Sequence, residues 1–178
     1  MSAGLYLDAC ATSPPAPEVL AAMAEAYAGA WANPSSLHGP GLRAAECLER
    51  SRQHLAELLG CQRGRLVFTS GGSESIHLAL LGAAAAIQPC PEPPRLVISA
   101  VEHPATLAAA RQLQARGWQL AVVPVDPQGR LDLEVLASLL AAPTRLVSLI
   151  WGQSEVGTLQ SVEAIGALCR AAGVPLHL

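Results

Sequence analysis

Three short runs in this chain carry residue types that can bind a ligand. Ser70-Gly71-Gly72-Ser73-Glu74-Ser75 opens directly into a helical pattern. Glycines let backbone N–H groups approach an anion, and a helix start adds about half a positive charge, so the run reads as a phosphate cradle. A glycine turn with a serine N-cap accounts for the same letters. The run matches neither the lysine-containing phosphate loop nor G-x-G-x-x-G. Ala100-Val101-Glu102-His103-Pro104 sets an imidazole just ahead of a proline-started helix, where its face can stack on an aromatic heterocycle. A solvated loop histidine is the alternative. Trp151-Gly152-Gln153-Ser154-Glu155-Val156-Gly157 offers amide and hydroxyl groups between glycines, either as ligand contacts or as an ordinary polar turn.

Some chemistry is excluded by what is missing. All eleven basic residues are arginine, so no lysine is present to form a Schiff base. The five cysteines (Cys10, Cys47, Cys61, Cys90 and Cys169) contain no C-x-x-C pair and are odd in number, which points away from zinc and from a disulfide framework. Cys10 sits beside no evident base or cation and reads as a loop cysteine rather than a nucleophile. No catalytic residue and no metal ligand is assigned.

These runs need a scaffold, and the punctuation supplies one. Pro17 with Val19, Leu20, Met23, Ala26, Tyr27 and Ala30 has helical spacing, as do Leu42, Ala45, Leu48, Leu55 and Leu59, with Gly60 as a stop. Apolar runs at Leu66 to Thr69, Leu96 to Ser99, Leu120 to Val125 and Arg145 to Ile150 then alternate with helical stretches at Ser73 to Ala86, Pro104 to Arg116, Asp132 to Ala141 and Ser161 to Ala172. Val174 to Leu178 begins a further apolar run. Such alternation predicts an α/β fold with a mostly parallel sheet and helices on both faces. Gly117 and Gly173 suit helix C-termini, and Asp132 and Ser161 suit N-caps. Gln88 to Pro94 is proline-rich and reads as a loop. Asp8 to Pro14 and Asn33 to Gly39 are rich in turn formers. Ligands in open α/β sheets gather beyond the carboxyl ends of the strands, where all three candidate runs fall.

Composition narrows the class. The 178 residues suffice for one ordinary core, and 51% hydrophobic residues with 14% charged exclude a disordered polymer. A net charge of -3 lacks the basic excess of a nucleic-acid binder. Ser75 to Pro91 has no formal charge but falls short of the roughly 20 apolar residues of a membrane span. The start carries no basic, then apolar, leader pattern. These features read as a cytoplasmic chain with no nucleic-acid or membrane partner.

In order along the chain, these segments resemble the N-terminal part of a cysteine desulfurase, of the class V aminotransferase group of pyridoxal-phosphate enzymes. Tyr6-Leu7-Asp8, Ala11-Thr12 and Pro14 resemble the family's opening, and Ala32-Asn33-Pro34-Ser35-Ser36 with His38 its asparagine-proline-serine turn. Phe68 to Ser75 resembles its phosphate loop; Glu102-His103 and Glu155-Val156-Gly157 follow in order. The resemblance implies part of a fold-type I large domain over residues 1–178, without the small C-terminal domain. Gly72 and Ser73 would hold the phosphate of pyridoxal phosphate, His103 would stack on its ring, and Ser154 would stand where the family usually has asparagine, with the Gln153 amide beside it. The implied activity is sulfur removal from L-cysteine, giving alanine and a persulfide for iron–sulfur cluster assembly or other sulfur transfer. The family's pyridinium-pairing aspartate, Schiff-base lysine and persulfide cysteine loop are not in these residues, which predicts an inactive and marginally stable chain with an open sheet edge. Two further strands would separate the last strand from Leu66 to Thr69. Alternatives are a non-catalytic chain docking on a full-length homologue or sulfur acceptor through the family's homodimer surface, and a selenocysteine lyase or another class V enzyme.

Overall fold

The computed structural model describes residues 4–61, 66–88 and 91–178. Arg63, Arg65, Pro89 and Cys90, and part of the Gln88 to Pro94 loop, lie outside them. The chain divides into two units, Met1–Phe68 and Thr69–Leu178, each with its own internal contacts.

The first unit is built from turns and two helices. Asp8 O accepts Ala11 N–H at 3.1 Å and the Tyr6 hydroxyl at 2.9 Å, so the turn formers near the start make a turn. Helix α1 (Pro17–Gly29) places Pro17 in its first turn, where a missing N–H costs nothing. Asn33 Oδ1 accepts Ser35 N–H at 2.8 Å, closing an Asx turn that leads to helix α2 (Gly39–Leu58). His38 caps α2, its Nδ1 accepting Gly41 N–H at 3.3 Å. Gly41 must be glycine, because a Cβ there would collide with Ser36 O. Gly60, at φ +62°, ends the helix as expected. Leu66 to Thr69, expected as a strand, is irregular. It finds no partner strand among the described residues, and a strand without a ladder leaves its backbone groups unpaired. Val67 is 67% exposed, and the segment is held instead by Arg52, which donates to Leu66 O and lies 4.8 Å from the centre of the Phe68 ring.

The second unit is a sheet between helices. Strands β1 (Arg95–Ser99), β2 (Gln119–Val123), β3 (Thr144–Ser148) and β4 (Leu176–His177) pair in the order β2-β1-β3-β4, and every pair is parallel. The fold class expected from the alternating pattern is therefore present. β4 is shorter than the Val174 to Leu178 run. Side chains alternate across the sheet: Leu96, Ile98 and Leu146 pack beneath α3 (Gly72–Ala86) and α4 (Pro104–Ala115), while Val97, Val123 and Val147 pack beneath α5 (Leu133–Leu139) and α6 (Val162–Ala172). Both faces are covered, which is why the strands read as continuous apolar runs. Asp132 caps α5 through Glu134 and Val135 N–H, each at 3.0 Å. Gly173 ends α6 at φ +66°. Ser161 holds the N-cap position of α6 without a side-chain bond.

Candidate functional site

Parallel strands point their carboxyl ends one way, so the loops after β1 and β3 emerge side by side. Helix α3 joins them at its start. Its far end, Ile87 and Gln88, lines a surface cavity with Thr144, Arg145 and Pro175 at the amino ends of β3 and β4, and its middle residue Leu80 packs on Leu96 and Ile98. A helix of 15 residues spans about 22 Å, so its N-terminus comes back to the carboxyl end of the sheet. Gly72 and Ser73, His103 and Ser154 thus share one edge of the second unit.

The loop before α3 is ordered by its own side chains. Glu74 Oε2 accepts both Ser70 N–H and the Ser70 hydroxyl at 2.6 Å, and these bonds hold its carboxyl below the usual carboxylate range. The Thr69 and Ser75 hydroxyls bond each other at 2.7 Å, and the His77 ring meets Ser73 O at 2.9 Å. The N-cap is Gly71 and not a serine, and it offers no side-chain cap. The N–H groups of Gly72 and Ser73 and the Ser73 hydroxyl therefore have no partner among the described residues. A Cβ built on Gly71 or Gly72 meets nothing within 4 Å, so the approach to these donors is open. Such a set can receive a phosphate.

His103 is the N-cap of α4. Its Nδ1 accepts Ala105 N–H at 3.1 Å, which requires an unprotonated Nδ1 and fixes the ring against the helix start. The ring is exposed. Glu102, to which the sequence reading gave no role, accepts Ser99 N–H, the Ser99 hydroxyl and Ile150 N–H on one oxygen, at 3.3, 2.6 and 2.7 Å. Nearby, Ser148 Oγ and His177 Nδ1 lie 2.9 Å apart. Burial pushes the His177 imidazole below its ordinary value, partly opposed by the Glu102 charge.

The loop after β3 is folded on itself. Gln153 Oε1 accepts Glu155 and Val156 N–H at 2.7 Å each, and its Nε2 faces Glu155 Oε2 at 3.4 Å. The Gln153 amide is thus spent inside the loop and does not stand in for a ligand-facing amide. Ser154 is exposed, and its hydroxyl has no partner among the described residues. The loop is also tied to the preceding turn. Buried Gln160 accepts Leu131 N–H at 3.0 Å and donates to Gly129 O at 2.8 Å, and Thr158 donates to Gln128 O at 2.6 Å. Gln160 and Glu102 act between segments about 30 and 48 residues apart, and no local pattern marks such pairings.

Asn33 and His38 serve the turn and cap of the first unit. Cys10 donates to Asp8 Oδ1 at 3.3 Å, and that bond raises its thiol above the ordinary range, which disfavours the thiolate. Cys10, Cys47, Cys61 and Cys169 are free thiols, and Cys169 is buried beneath the sheet. Among the described residues no cluster can hold a metal, and no helix is long and apolar enough to cross a membrane.

Residues 5–178 match the protein family described as aminotransferase class-V. The chain is 38% identical over 176 residues to the cysteine desulfurase NifS of Azotobacter vinelandii, covering 98% of this chain and 43% of that protein. It is similar to the solved structure of a NifS-like protein at a TM-score of 0.88 and 31% identity, covering 94% of this chain and 46% of that one. SspA, solved in complex with cysteine, is similar at a TM-score of 0.84 and 28% identity, with 94% and 48% covered. The chain spans a little under half the length of each.

Proposed function

Because the chain belongs to the aminotransferase class-V family, we propose that it contributes to a cysteine desulfurase reaction, the removal of sulfur from L-cysteine to give alanine and a protein persulfide, with pyridoxal phosphate as cofactor. Gly72 and Ser73 would hold the cofactor phosphate through two backbone N–H groups and one hydroxyl. His103 would lie against the ring, and Ser154 would reach cofactor or substrate with a hydroxyl shorter than an asparagine amide. When bound, pyridoxal phosphate supplies an electron sink for bond cleavage next to the substrate amine. The part played by these residues is binding and orientation. The free thiols fit a reducing compartment such as the cytoplasm.

One observation carries the reading. The uncommitted donors at the start of α3 share the carboxyl edge of the sheet with an exposed ring that is held in place by a cap bond. The 178 residues hold no lysine, so this polypeptide alone supplies no side-chain amine for covalent attachment. It is expected to bind the cofactor reversibly and to leave cysteine unconsumed. Titration with pyridoxal phosphate, followed by borohydride reduction and mass spectrometry, tests this. Saturable binding that Ser73→Ala weakens, with no adduct beyond the N-terminal amine, is the expected result. Sulfide and alanine released over many turnovers by the isolated 178-residue chain would overturn it.

A second reading is a chain that docks on a longer homologue or a sulfur acceptor. It is favoured by α1, which buries none of its residues although Leu20, Met23 and Tyr27 lie along it. Co-purification with such a partner in the absence of cofactor distinguishes it from the first.

A further inference from the structure

The ladder between β1 and β3 stops before their loops begin. Its last matched pair is Ile98 with Ser148, and Ile150 N–H, two residues beyond Ser148 and facing the same way along β3, goes to Glu102 Oε1 and not to the β1 backbone. The backbone ladder therefore ends short of His103 on one side and Trp151 on the other. Glu102 closes this gap with a single oxygen that takes two donors from Ser99 and one from Ile150, the latter at 2.7 Å. The acceptor is charged, so these bonds are stronger than the neutral ladder bonds they replace. Ser99 is buried, and its hydroxyl also accepts Val101 N–H at 3.3 Å, which leaves little slack on the β1 side. Each end of the bridge lies one residue from a candidate loop: Glu102 precedes His103, and Ile150 precedes Trp151.

We propose that Glu102 is a positioning residue which, without touching the ligand, fixes the His103 loop and the Trp151–Gly157 loop at one separation by replacing the ladder beyond its last β1–β3 pair. The bridge stands on the hydrogen bonds alone; what the two loops hold rests on the function proposed above. Misplacing one loop against the other by a fraction of an ångström weakens any ligand that touches both.

The experiment uses the whole chain, labelled with nitrogen-15, and the variants Glu102→Ala and Glu102→Gln. In the ligand-free protein, E102A is expected to shift the amide resonances of Trp151 to Ser154 and the ring nitrogens of His103 together. E102Q keeps an acceptor oxygen of the same reach and is expected to restore both, with only Ser99 and Ile150 altered. Pyridoxal phosphate affinity by equilibrium dialysis should fall about tenfold in E102A and stay within about twofold in E102Q. Gly173→Ala, which puts a Cβ at φ +66° beside the cavity at the amino ends of β3 and β4, controls for stability and should leave affinity unchanged. If E102A does not fold, Glu102→Asp, with an arm one carbon shorter, takes its place. Unmoved Trp151 to Ser154 amides in the folded variant overturn the proposal, as does an equal affinity loss in G173A. Failure of the parent chain to bind pyridoxal phosphate sinks the functional reading, while the ligand-free resonances still decide the bridge.

Discussion

The two units of this chain use the same kind of residue in opposite ways. In Thr69–Leu178, apolar side chains from strands and helices meet on both faces of a sheet, and Leu80, Val97, Leu136, Val147 and Ile165 are removed from water. In Met1–Phe68, two well-formed helices carry apolar side chains that mostly remain in solvent, and among the described residues its only buried hydrophobics are Ala44 and Ala56. Helical periodicity is satisfied in both, so a regular pattern with caps suffices to form a helix on paper. Only the sheet gives that pattern something to bury against. The difference locates stability in the second unit, where the candidate site also lies.

The largest effect should follow from truncating the shared core. Leu136 is fully buried between α5 and the sheet, so Leu136→Ala removes packing and leaves a cavity. A loss of about 3 kcal/mol in unfolding free energy is expected by urea denaturation. A loss below about 1 kcal/mol would break the contrast by showing that the core of the second unit relaxes freely.

A smaller effect depends on pH. Burial lowers the folded-state value of His177 below the ordinary 6.5, so the folded state resists the proton that the unfolded chain accepts. The stability tied to this histidine is complete above about pH 6.5 and is lost as the pH falls through that value toward the lowered one. Denaturation midpoints measured from pH 7.5 down to 5 should decline in the parent chain. They should decline less in His177→Asn, which keeps a polar partner for Ser148 but does not titrate. Equal slopes in the two proteins would show that the burial of β4 carries no proton linkage.

The same contrast explains what could be read in the letters. The six helices among the described residues follow from 3.6-residue spacing and local punctuation: Pro17, Gly60, Asp132 and Gly173 each do at their ends what their type predicts. The first three strands follow from continuous apolar runs, as expected of a sheet covered on both faces. Leu66 to Thr69 has an equally good run and is not a strand, because pairing is a property of two segments and not of one. The site divides along the same line. The candidates Gly72, Ser73, His103 and Ser154 come from local motifs, whereas the inward turn of the Gln153 amide and the reach of Glu102 to Ile150 depend on contacts no local pattern records.

The smallest expected effect tests the first unit. Leu20 and Met23 lie on α1 and are 52% and 50% exposed, so replacing either by alanine removes little apolar area that folding had taken from water. Alanine is also the strongest helix former, which offsets part of that loss. Leu20→Ala and Met23→Ala should therefore change unfolding free energy by no more than about 0.5 kcal/mol, the range of ordinary surface substitutions. Denaturation followed by circular dichroism at a low and a high protein concentration makes the measurement informative in both directions. A cost above about 1.5 kcal/mol at low concentration would mean that α1 is covered within the chain, and the contrast between the units would fail. A cost that grows with concentration would place the covering surface on another copy or partner, because association adds stability by mass action. Exposed apolar residues on α1 would then be half of an interface, and the sheet would remain the part of the molecule that stands by its own packing.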